Sequence, residues 1–503
     1  MIYQIEVDKK HAVTLSVPLR KVDGRHRHTS AFSLSRATFT MPAAPVLSVT
    51  TETPATADAS TSALSSLHDF LFHLPKIEVH AHLNGCIRES TLLELANERN
   101  VALPSHLFGS LDNKSHENHN DIRAEPHMYN THPRSLQDCF DLFAEIPKCV
   151  NDLSSLKRIT LETLQDFANH HVTYLELRST PKRLLTRHGD KSNTMATKRD
   201  YIEVILSVMS DFQQQEYERY QLELQNHSDY QFLEHRLPMI CHFIIAVDRS
   251  QTVKEAKENI DLACEFFVSH QSNTSSPMPK VVGVDLGGNP TKGDFDRDFR
   301  MLFERARSFG LRVTLHCAEI SCGNDDKIND DERQRQAYKE AQDMLSFGPD
   351  RLGHALLLPP SLSQEMKAKG IPVETCPTSN VMTLELAKRV EDYGNLIHGL
   401  QQHPGLLEWI DSRHPLCICT DDPGVFDTNL TKELYFLARA FDLSQQDVAR
   451  LVLASTRHLF CDSETKQLTH TRMKQRIERM IQLIEKRDHT EQFTQDDLFD
   501  SSP

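Results

Sequence analysis

The stretch KIEVHAHL (residues 76–83) is a short apolar run that ends in two histidines, His80 and His82. A β-rich apolar run of this length predicts a strand. Seven further runs share the pattern, and nearly all carry polar residues at their C-terminal ends. They are VTYLELRST (172–180), MICHFIIAVD (239–248), VVGVDLGG (281–288), RVTLHCAE (312–319), RLGHALLL (351–358), IPVETCPTS (371–379) and PLCICTDDP (415–423).

Helical patterns lie between these strands, with apolar residues three and four apart, as in residues 155–171 and 251–270. Strands that alternate with helices indicate parallel pairing through crossovers. Eight such units predict an α/β fold, a TIM-type (β/α)8 barrel with extra helices and loop insertions. An open doubly wound sheet is the alternative. In a barrel the carboxyl ends of the strands converge on one face, so the polar strand ends predict a functional site there.

Charge and composition exclude several classes of protein. The chain has 503 residues and a formal net charge of −15, which argues against a general nucleic-acid-binding surface. It contains no apolar run of about 18 residues, so no membrane span is predicted. The eleven cysteines form no CxxC pair, which fits core thiols in a reduced intracellular compartment.

Three regions are predicted along the chain. Residues 1–66 are rich in Ser, Thr, Ala and Pro, and we expect a disordered extension. Residues 67–465 form the barrel domain, and residues 466–503 form a C-terminal helix and an acidic tail. Basic residues dominate between residues 9 and 51, a bias that resembles a transit peptide, although the acids Glu6 and Asp8 argue against one. The apolar core of a secretory signal is also lacking.

Two insertions break the regular spacing of the barrel units. Residues 105–134 belong to a stretch rich in His and Asn, for which a mobile surface loop and a weak metal site are the alternatives. Residues 217–237 are expected to be a solvated insertion.

His80 and His82 are predicted metal ligands. Alternate residues of a strand point to the same face, so the two side chains project together. An HxH pair alone is a weak signal because the chain has 27 histidines. His316 and Asp421 end other predicted strands, and the eighth strand neighbours the first in a closed barrel. Three imidazoles and one carboxylate suit a catalytic Zn²⁺, one per subunit; ordinary buried or surface histidines are the alternative.

Glu319 and His354 are predicted catalytic residues. Zinc lowers the pKa of bound water to about 7, and the resulting hydroxide must be oriented while the substrate is protonated. Glu319 follows His316 by three residues, and His354 ends the RLGH segment. Taken singly, Glu319 reads as a salt-bridge residue and His354 as a satisfied core histidine.

Five motifs, in this order, resemble the adenosine/AMP deaminase family of zinc-dependent (β/α)8 hydrolases. They are HAHLNG (80–85), DLGGNP (285–290), HCAE (316–319), RLGH (351–354) and CTDDPG (419–424). The resemblance spans residues 70–465 and implies a barrel of the metal-dependent hydrolase kind. It also implies that zinc is bound by His80, His82, His316 and Asp421.

The resemblance implies roles for four further residues. Glu319 would donate a proton to purine N1, and His354 would stabilise the attacking hydroxide. Asp422 would hold purine N7, and the backbone of Gly288 would contact the base.

Asn84 points to the kind of substrate. Adenosine deaminases typically have aspartate at this position, which binds the ribose 5′-hydroxyl and would repel a 5′-phosphate. Neutral Asn84 can donate a hydrogen bond to a phosphate oxygen instead. The segment RSTPKR (178–183) places Ser179, Thr180, Pro181 and Lys182 at the same site, with hydroxyl donors and a positive charge.

This combination resembles most the adenosine deaminase-like branch, which hydrolyses N6-methyl-AMP to IMP and methylamine. By the same resemblance Asp248 and His82 line the nucleotide site. We therefore expect a monomeric cytosolic enzyme of purine salvage that binds a purine nucleotide, and neither a nucleic-acid polymer nor a membrane. Deamination of adenosine or AMP, non-catalytic purine binding and organelle targeting are the alternatives.

Four positions depart from that branch. Lys182 stands where arginine is usual, and lysine is the weaker bidentate partner of a phosphate. Pro147 replaces a histidine, with Lys148 beside it as a substitute contact. Cys86 replaces serine, and Ala355 replaces glycine. None of these belongs to the zinc set, so we expect activity to survive.

Overall fold

The described residues belong to one unit, Ala57–Pro503. In this computed structural model they are residues 66–104, 108, 136–187, 194–226, 235–271, 278–319, 330–386 and 393–496. The predicted extension up to residue 65, the His-rich residues 109–135 and the chain after residue 496 lie outside them.

Eight parallel strands form one sheet in sequence order. They are β1 (Lys76–His82), β2 (Val172–Ser179), β3 (Ile240–Asp248), β4 (Val281–Gly287), β5 (Arg312–Cys317), β6 (Arg351–His354), β7 (Val373–Thr375) and β8 (Leu416–Ile418). The sheet closes after β8: the N–H of His82 donates to the carbonyl of Asp421, and the N–H of Asp421 donates to the carbonyl of His80, both at 2.9 Å. The predicted (β/α)8 barrel is confirmed, and the open sheet is wrong.

Helices surround the barrel. They are α1 (Leu67–His73), α2 (Glu89–Arg99), α3 (Leu136–Cys149), α4 (Leu153–Asn169), α5 (Lys198–Asn226), α6 (Val253–Gln271), α7 (Arg300–Phe309), α8 (Asp330–Phe347), α9 (Pro360–Lys369), α10 (Pro377–Thr383), α11 (Tyr393–Gln401), α12 (Leu406–Asp411), α13 (Pro423–Phe426), α14 (Leu430–Ala440), α15 (Gln445–Ser455) and α16 (Ser463–Asp496). Short turns of 3₁₀ or π helix occupy Leu83–Gly85, Phe295–Phe299 and Thr456–His458.

Helix α4 shows how the sequence sets a crossover helix. Asp152 caps its first turn, because its carboxylate accepts a hydrogen bond from the N–H of Ser155 at 2.7 Å. Leu156, Ile159 and Phe167 recur at helical spacing and are buried. The helix therefore buries one apolar face and leads directly into β2.

Two predicted strands end earlier than their apolar runs. Strand β6 ends at His354 because His354 and Ala355 take φ of 58° and 53°, in the left-handed region, which turns the chain out of the extended conformation. Strand β7 stops at Thr375 because Pro377 begins α10 in the first helical turn. These early ends let the following residues turn across the mouth of the barrel.

The predicted insertion at 217–237 begins in regular structure. Residues 217–226 continue helix α5, and residues 227–234 lie outside the described ranges. Glu216 on this helix accepts hydrogen bonds from Arg219 at 3.0 Å and from Arg236 at 2.6 Å. These ion pairs tie the helix to the chain that enters β3.

The interior of the barrel is charged rather than apolar. Arg178 and Arg351 are fully buried, and both donate to the carboxylate of Glu374, at 2.9 and 2.5 Å. Arg351 also donates to Glu176 at 2.5 Å, and its guanidinium lies 3.4 Å from the ring centroid of Phe460. Buried charges are tolerated when they are paired in this way. The network joins strands β2, β6 and β7 below the mouth.

No described helix is both long and apolar enough to cross a bilayer. The ten cysteines among the described residues are all buried free thiols.

Candidate metal centre and nucleotide site

Four imidazoles and one carboxylate meet at the carboxyl-end mouth of the barrel. His80 and His82 come from β1, His316 from β5 and His354 from the end of β6, and Asp421 follows β8. The ring centroids of His80 and His316 are 4.6 Å apart, and those of His80 and His354 are 4.9 Å apart. The structure thus brings together all four predicted ligands.

His80 is positioned from behind by an acid. Its Nδ1 lies 2.6 Å from Oε2 of Glu374, so it donates its proton there, and its Nε2 carries the lone pair that faces the mouth. Burial and the charge of Arg178 lower the pKa of His80, which keeps the ring neutral. Nε2 is buried and makes no hydrogen bond to any described residue. The nearest carboxylate oxygen, Oδ1 of Asp421, is 3.5 Å away.

His316 is supported in the same way by Asp285 of β4, with 3.0 Å between Nδ1 and Oδ1. Burial opposes a proton on this ring, but the charge and hydrogen bond of Asp285 prevail and raise the pKa of His316 to about 9 in the metal-free protein. Nε2 of His316 lies 3.2 Å from Nε2 of His82, so two ring nitrogens face each other across a gap.

Asp421 completes the group. Its Oδ1 lies 3.5 Å from Nε2 of His82, and its Oδ2 accepts a hydrogen bond from Ser379 at 2.7 Å. Burial alone would raise the pKa of Asp421, but the surrounding imidazoles hold it well below its usual range. Asp421 is therefore an anion among neutral or cationic rings.

Two overlapping sets of ligand atoms satisfy metal-binding distances: His80, His316, His354 and Asp421 form one, and His82, Asp285 and His316 form the other. The predicted set draws on both. His80 and His316 each have a carboxylate behind Nδ1, which is the arrangement typical of metal-bound histidines. His354 has the amide of Asn380 behind Nδ1 instead, at 2.9 Å.

The residues fit a metal ion. A buried ring nitrogen without a partner, two facing ring nitrogens and an ionised carboxylate converge on one point, and each would be costly without a cation between them. Burial lowers the pKa of His82 well below its usual value, so its imidazole is also neutral and ready to bind.

Glu319 and Asp422 flank this centre. Oε1 of Glu319 lies 3.9 Å from Nε2 of His354, and the Glu319 side chain is partly exposed to the mouth. Burial and the neighbouring Asp421 raise the pKa of Asp422 well above its usual range, which favours the protonated form, the one that can donate a hydrogen bond. Gly85 is needed beside it, because a Cβ there would lie 1.7 Å from Oδ1 of Asp422.

The predicted nucleotide residues follow β1 to β4. Asn84 and Lys182 are half-buried, and among the described residues neither side chain has a hydrogen-bond partner. Burial lowers the pKa of Lys182, and the charge of Asp248 opposes that effect, so the two side chains are electrostatic neighbours. Asp248 also accepts from the N–H of Ser250 at 2.7 Å. Gly288 has φ of 86°, and a Cβ there would lie 2.6 Å from Oδ1 of Asp248.

Ser179 is placed differently from the expectation. Its hydroxyl lies 2.7 Å from the hydroxyl of Tyr201 on α5, so the side chain faces the helix layer. The alternation along β2 instead turns Arg178 into the barrel. Thr180 and Pro181 follow the strand end, and Thr180 is half-buried. Lys148, the expected substitute for the missing histidine, donates to Glu145 at 2.6 Å and is largely exposed.

Sequence reasoning missed the acids behind the ligands. Asp285 lies inside the DLGGNP motif, and Glu374 and Ser379 lie inside the seventh predicted run, but no role was assigned to them. Asp285 lies one strand away from His316 and Glu374 lies two strands away from His80, so an acidic residue within a nearby predicted strand is the signal that could have indicated them.

A closed barrel with a histidine and aspartate cluster at its carboxyl-end mouth defines a metal-dependent hydrolase. The model of the adenosine deaminase family matches residues 75–214 and 244–475. The chain belongs to the adenosine deaminase family, and it is a deaminase of the hydrolase class.

Named relatives lie within the same family. The chain is 32% identical to the N6-mAMP deaminase of Arabidopsis thaliana over 409 residues, covering 79% of this chain and 96% of that protein. It is 31% identical to the N6-methyl-AMP deaminase of Homo sapiens, covering 79% and 92%. The crystal structure of Arabidopsis ADAL complexed with IMP is 31% identical, with a TM-score of 0.58, covering 81% of this chain and 98% of that one.

Proposed function

We propose that this protein hydrolyses N6-methyl-AMP and related N6-substituted AMPs to IMP and an amine, with one Zn²⁺ per subunit. The observation that carries the substrate is the pair of Asn84 and Lys182. A neutral amide and a cation, both without a hydrogen-bond partner among the described residues, follow neighbouring strands beside the metal centre. That pair suits a phosphate, whereas an acid at residue 84 would repel one.

Zinc is supported by the chemistry of the donors. Three imidazoles and one carboxylate, from His80, His82, His316 and Asp421, form the nitrogen and oxygen set that catalytic zinc prefers. When bound, Zn²⁺ would lower the pKa of a coordinated water to about 7 and so supply hydroxide at neutral pH.

The surrounding side chains divide the remaining work. Glu319 donates a proton to N1 of the purine, which makes C6 electrophilic. His354 donates a hydrogen bond to the attacking oxygen, and Asp422, whose raised pKa favours the protonated form, donates to N7. Water oxygen adds at C6 and the amine departs with a proton, so the products are IMP and methylamine. The backbone of Gly288 contacts the base.

Two features of relatives support the nucleotide as ligand. Proteins at about 30% identity are named N6-methyl-AMP deaminase, and Arabidopsis ADAL was crystallised with IMP. The phosphate would contact Asn84, Thr180 and Lys182. Asp248 lies near Lys182, and its charge opposes the lowering of the Lys182 pKa by burial, which favours the charged form of the lysine.

The test compares turnover of N6-methyl-AMP, AMP and adenosine by the protein, together with its metal content. We expect the highest kcat/KM for N6-methyl-AMP and one zinc per chain. A preference for adenosine would overturn the phosphate assignment, and a preference for AMP would overturn the N6-methyl specificity. Absence of turnover with metal bound would favour a purine-binding protein instead.

We expect the protein to be a monomer and to be located in the cytosol. The free, buried thiols are consistent with a reducing compartment. Light scattering would check the first point, and microscopy of the full chain carrying a fluorescent tag would check the second.

A further inference from the structure

His354 is connected to a second buried histidine through an amide. Oδ1 and Nδ2 of Asn380 lie 2.9 Å from Nδ1 of His354 and 3.1 Å from Nε2 of His403, respectively. Asn380 and His403 lie outside the metal ligands and the substrate residues, and both are buried. The proton positions in this chain of three side chains follow from counting donors and acceptors.

His403 fixes the first proton. Its Nδ1 accepts hydrogen bonds from the backbone N–H groups of Gly405 at 3.2 Å and Leu406 at 3.1 Å, at the start of α12. A nitrogen that faces two donors must carry a lone pair, so the ring proton is on Nε2. Burial lowers the pKa of His403 to about 4, which agrees with a neutral ring.

Asn380 links the position of the proton on His403 to that of the proton on His354. The Nε2 proton of His403 needs an acceptor, and its partner among the described residues, the Asn380 amide, can provide one through its oxygen. Amide oxygen and nitrogen have nearly the same shape, so hydrogen bonding decides their orientation. The amide therefore takes the exchanged orientation, with its oxygen toward Nε2 of His403 and its NH₂ toward Nδ1 of His354, which must accept.

We infer that Asn380 and His403 are positioning residues that keep Nδ1 of His354 as an acceptor and so place its ring proton on Nε2, facing the reacting centre. Nε2 of His354 lies 3.9 Å from Oε1 of Glu319 and 4.0 Å from Oδ2 of Asp421, so a substrate oxygen between them would receive its hydrogen bond. A protonated Nε2 cannot bind a metal, and for this reason His82 rather than His354 completes the ligand set. The inference rests on the proposed role of His354 at the attacking oxygen.

Asn380→Asp is the decisive variant. A carboxylate presents only acceptors, so it keeps the bond from His403 and forces the His354 proton onto Nδ1. We expect kcat to fall about 100-fold, the scale for losing one donor to a developing oxyanion, while KM and metal content stay near wild type. If the Asn380 amide instead keeps its oxygen toward Nδ1 of His354, the substitution leaves kcat unchanged, and that result overturns the inference.

Binding separates positioning from a merely structural role. The probes are IMP and a nucleotide analogue with a tetrahedral, hydroxyl-bearing carbon at the position of C6. Asn380→Asp should lower the affinity for the analogue by the same factor as it lowers kcat, and should leave the affinity for IMP unchanged. Equal losses for both ligands would contradict the inference. If the wild-type protein prefers nucleosides, the nucleoside forms of both probes replace the nucleotides. The test of Asn380 then remains valid, so a failure of this inference is distinguished from a failure of the proposed substrate.

A second pair of variants tests the inference in case Asn380→Asp folds poorly. His403→Asn can keep the cap of α12 but loses the Nε2 donor, whereas His403→Gln retains a donor at that distance. We expect kcat to be lower in His403→Asn than in His403→Gln, and equal wild-type values would overturn the inference. His414→Asn is the matched control: His414 is buried, packs against the same Trp409 and bonds the carbonyl of Ile371 at 2.9 Å, so its loss should leave kcat unchanged.

Discussion

Nδ1 of His80 lies 2.6 Å from Oε2 of Glu374, although 294 residues separate them along the chain. The acid orients the ring and directs its lone pair to the mouth. The same carboxylate accepts hydrogen bonds from Arg178 and Arg351, so the metal centre is connected to the buried charged network inside the barrel.

Glu374→Gln should therefore weaken metal binding. Loss of a supporting carboxylate typically costs about 10- to 100-fold in metal affinity. Chelator competition on the apoprotein would measure the change. Glu433→Gln is the control, since Glu433 is equally buried but bonds Thr378 and Thr428 rather than a histidine. Equal metal affinities for the two variants would exclude a role for Glu374 behind His80.

Glu319→Gln should abolish turnover while metal remains bound. The amide cannot donate a proton to N1 as an acid does, and loss of general acid catalysis costs about 1,000-fold. Steady-state kcat and metal analysis of the same preparation check this prediction. A variant with wild-type kcat would remove Glu319 from the mechanism.

Lys182→Gln should lower kcat/KM for N6-methyl-AMP about 100-fold, because one side of a desolvated charge pair is lost. Turnover of N6-methyladenosine, which has no phosphate, should not change. Arg183→Gln is a matched control: Arg183 is the next residue, is exposed and pairs with Glu258. Parallel losses for both substrates would show that Lys182 does not contact a phosphate.

His242 should make the fold sensitive to acid. It is fully buried in β3, neither ring nitrogen has a partner among the described residues, and burial lowers its pKa to about 3. The unfolded chain binds a proton there as the pH falls below about 6.5, whereas the folded protein resists until far lower pH, so stability declines from pH 6.5 downward.

His242→Leu should remove that dependence, with a gain in the free energy of unfolding that grows to about 2 kcal/mol at pH 5 relative to pH 7. Urea unfolding at both pH values would measure it. His398→Gln, at an exposed position, serves as the control. A pH-independent difference between His242→Leu and wild type would show that the titration of His242 does not contribute.

The sequence by itself determined the eight strands and the residues at the mouth. Apolar runs and polar strand ends are local properties of the sequence, so they can be recognised without knowing which strands are neighbours in the sheet. Closure of the sheet then follows from eight repeats, and closure is what brings Asp421 beside His80 and His82.

Only the tertiary structure decided what stands behind those residues. Glu374 reaches His80 and Asp285 reaches His316 from other strands, and their partners depend on the stagger of the barrel rather than on local sequence. Whether Ser179 or Arg178 faces the barrel interior depended on the register of β2, because a shift of one residue along a strand exchanges the side chains on its two faces. The proton on His354 depended on His403, a residue that no local pattern connects to the site.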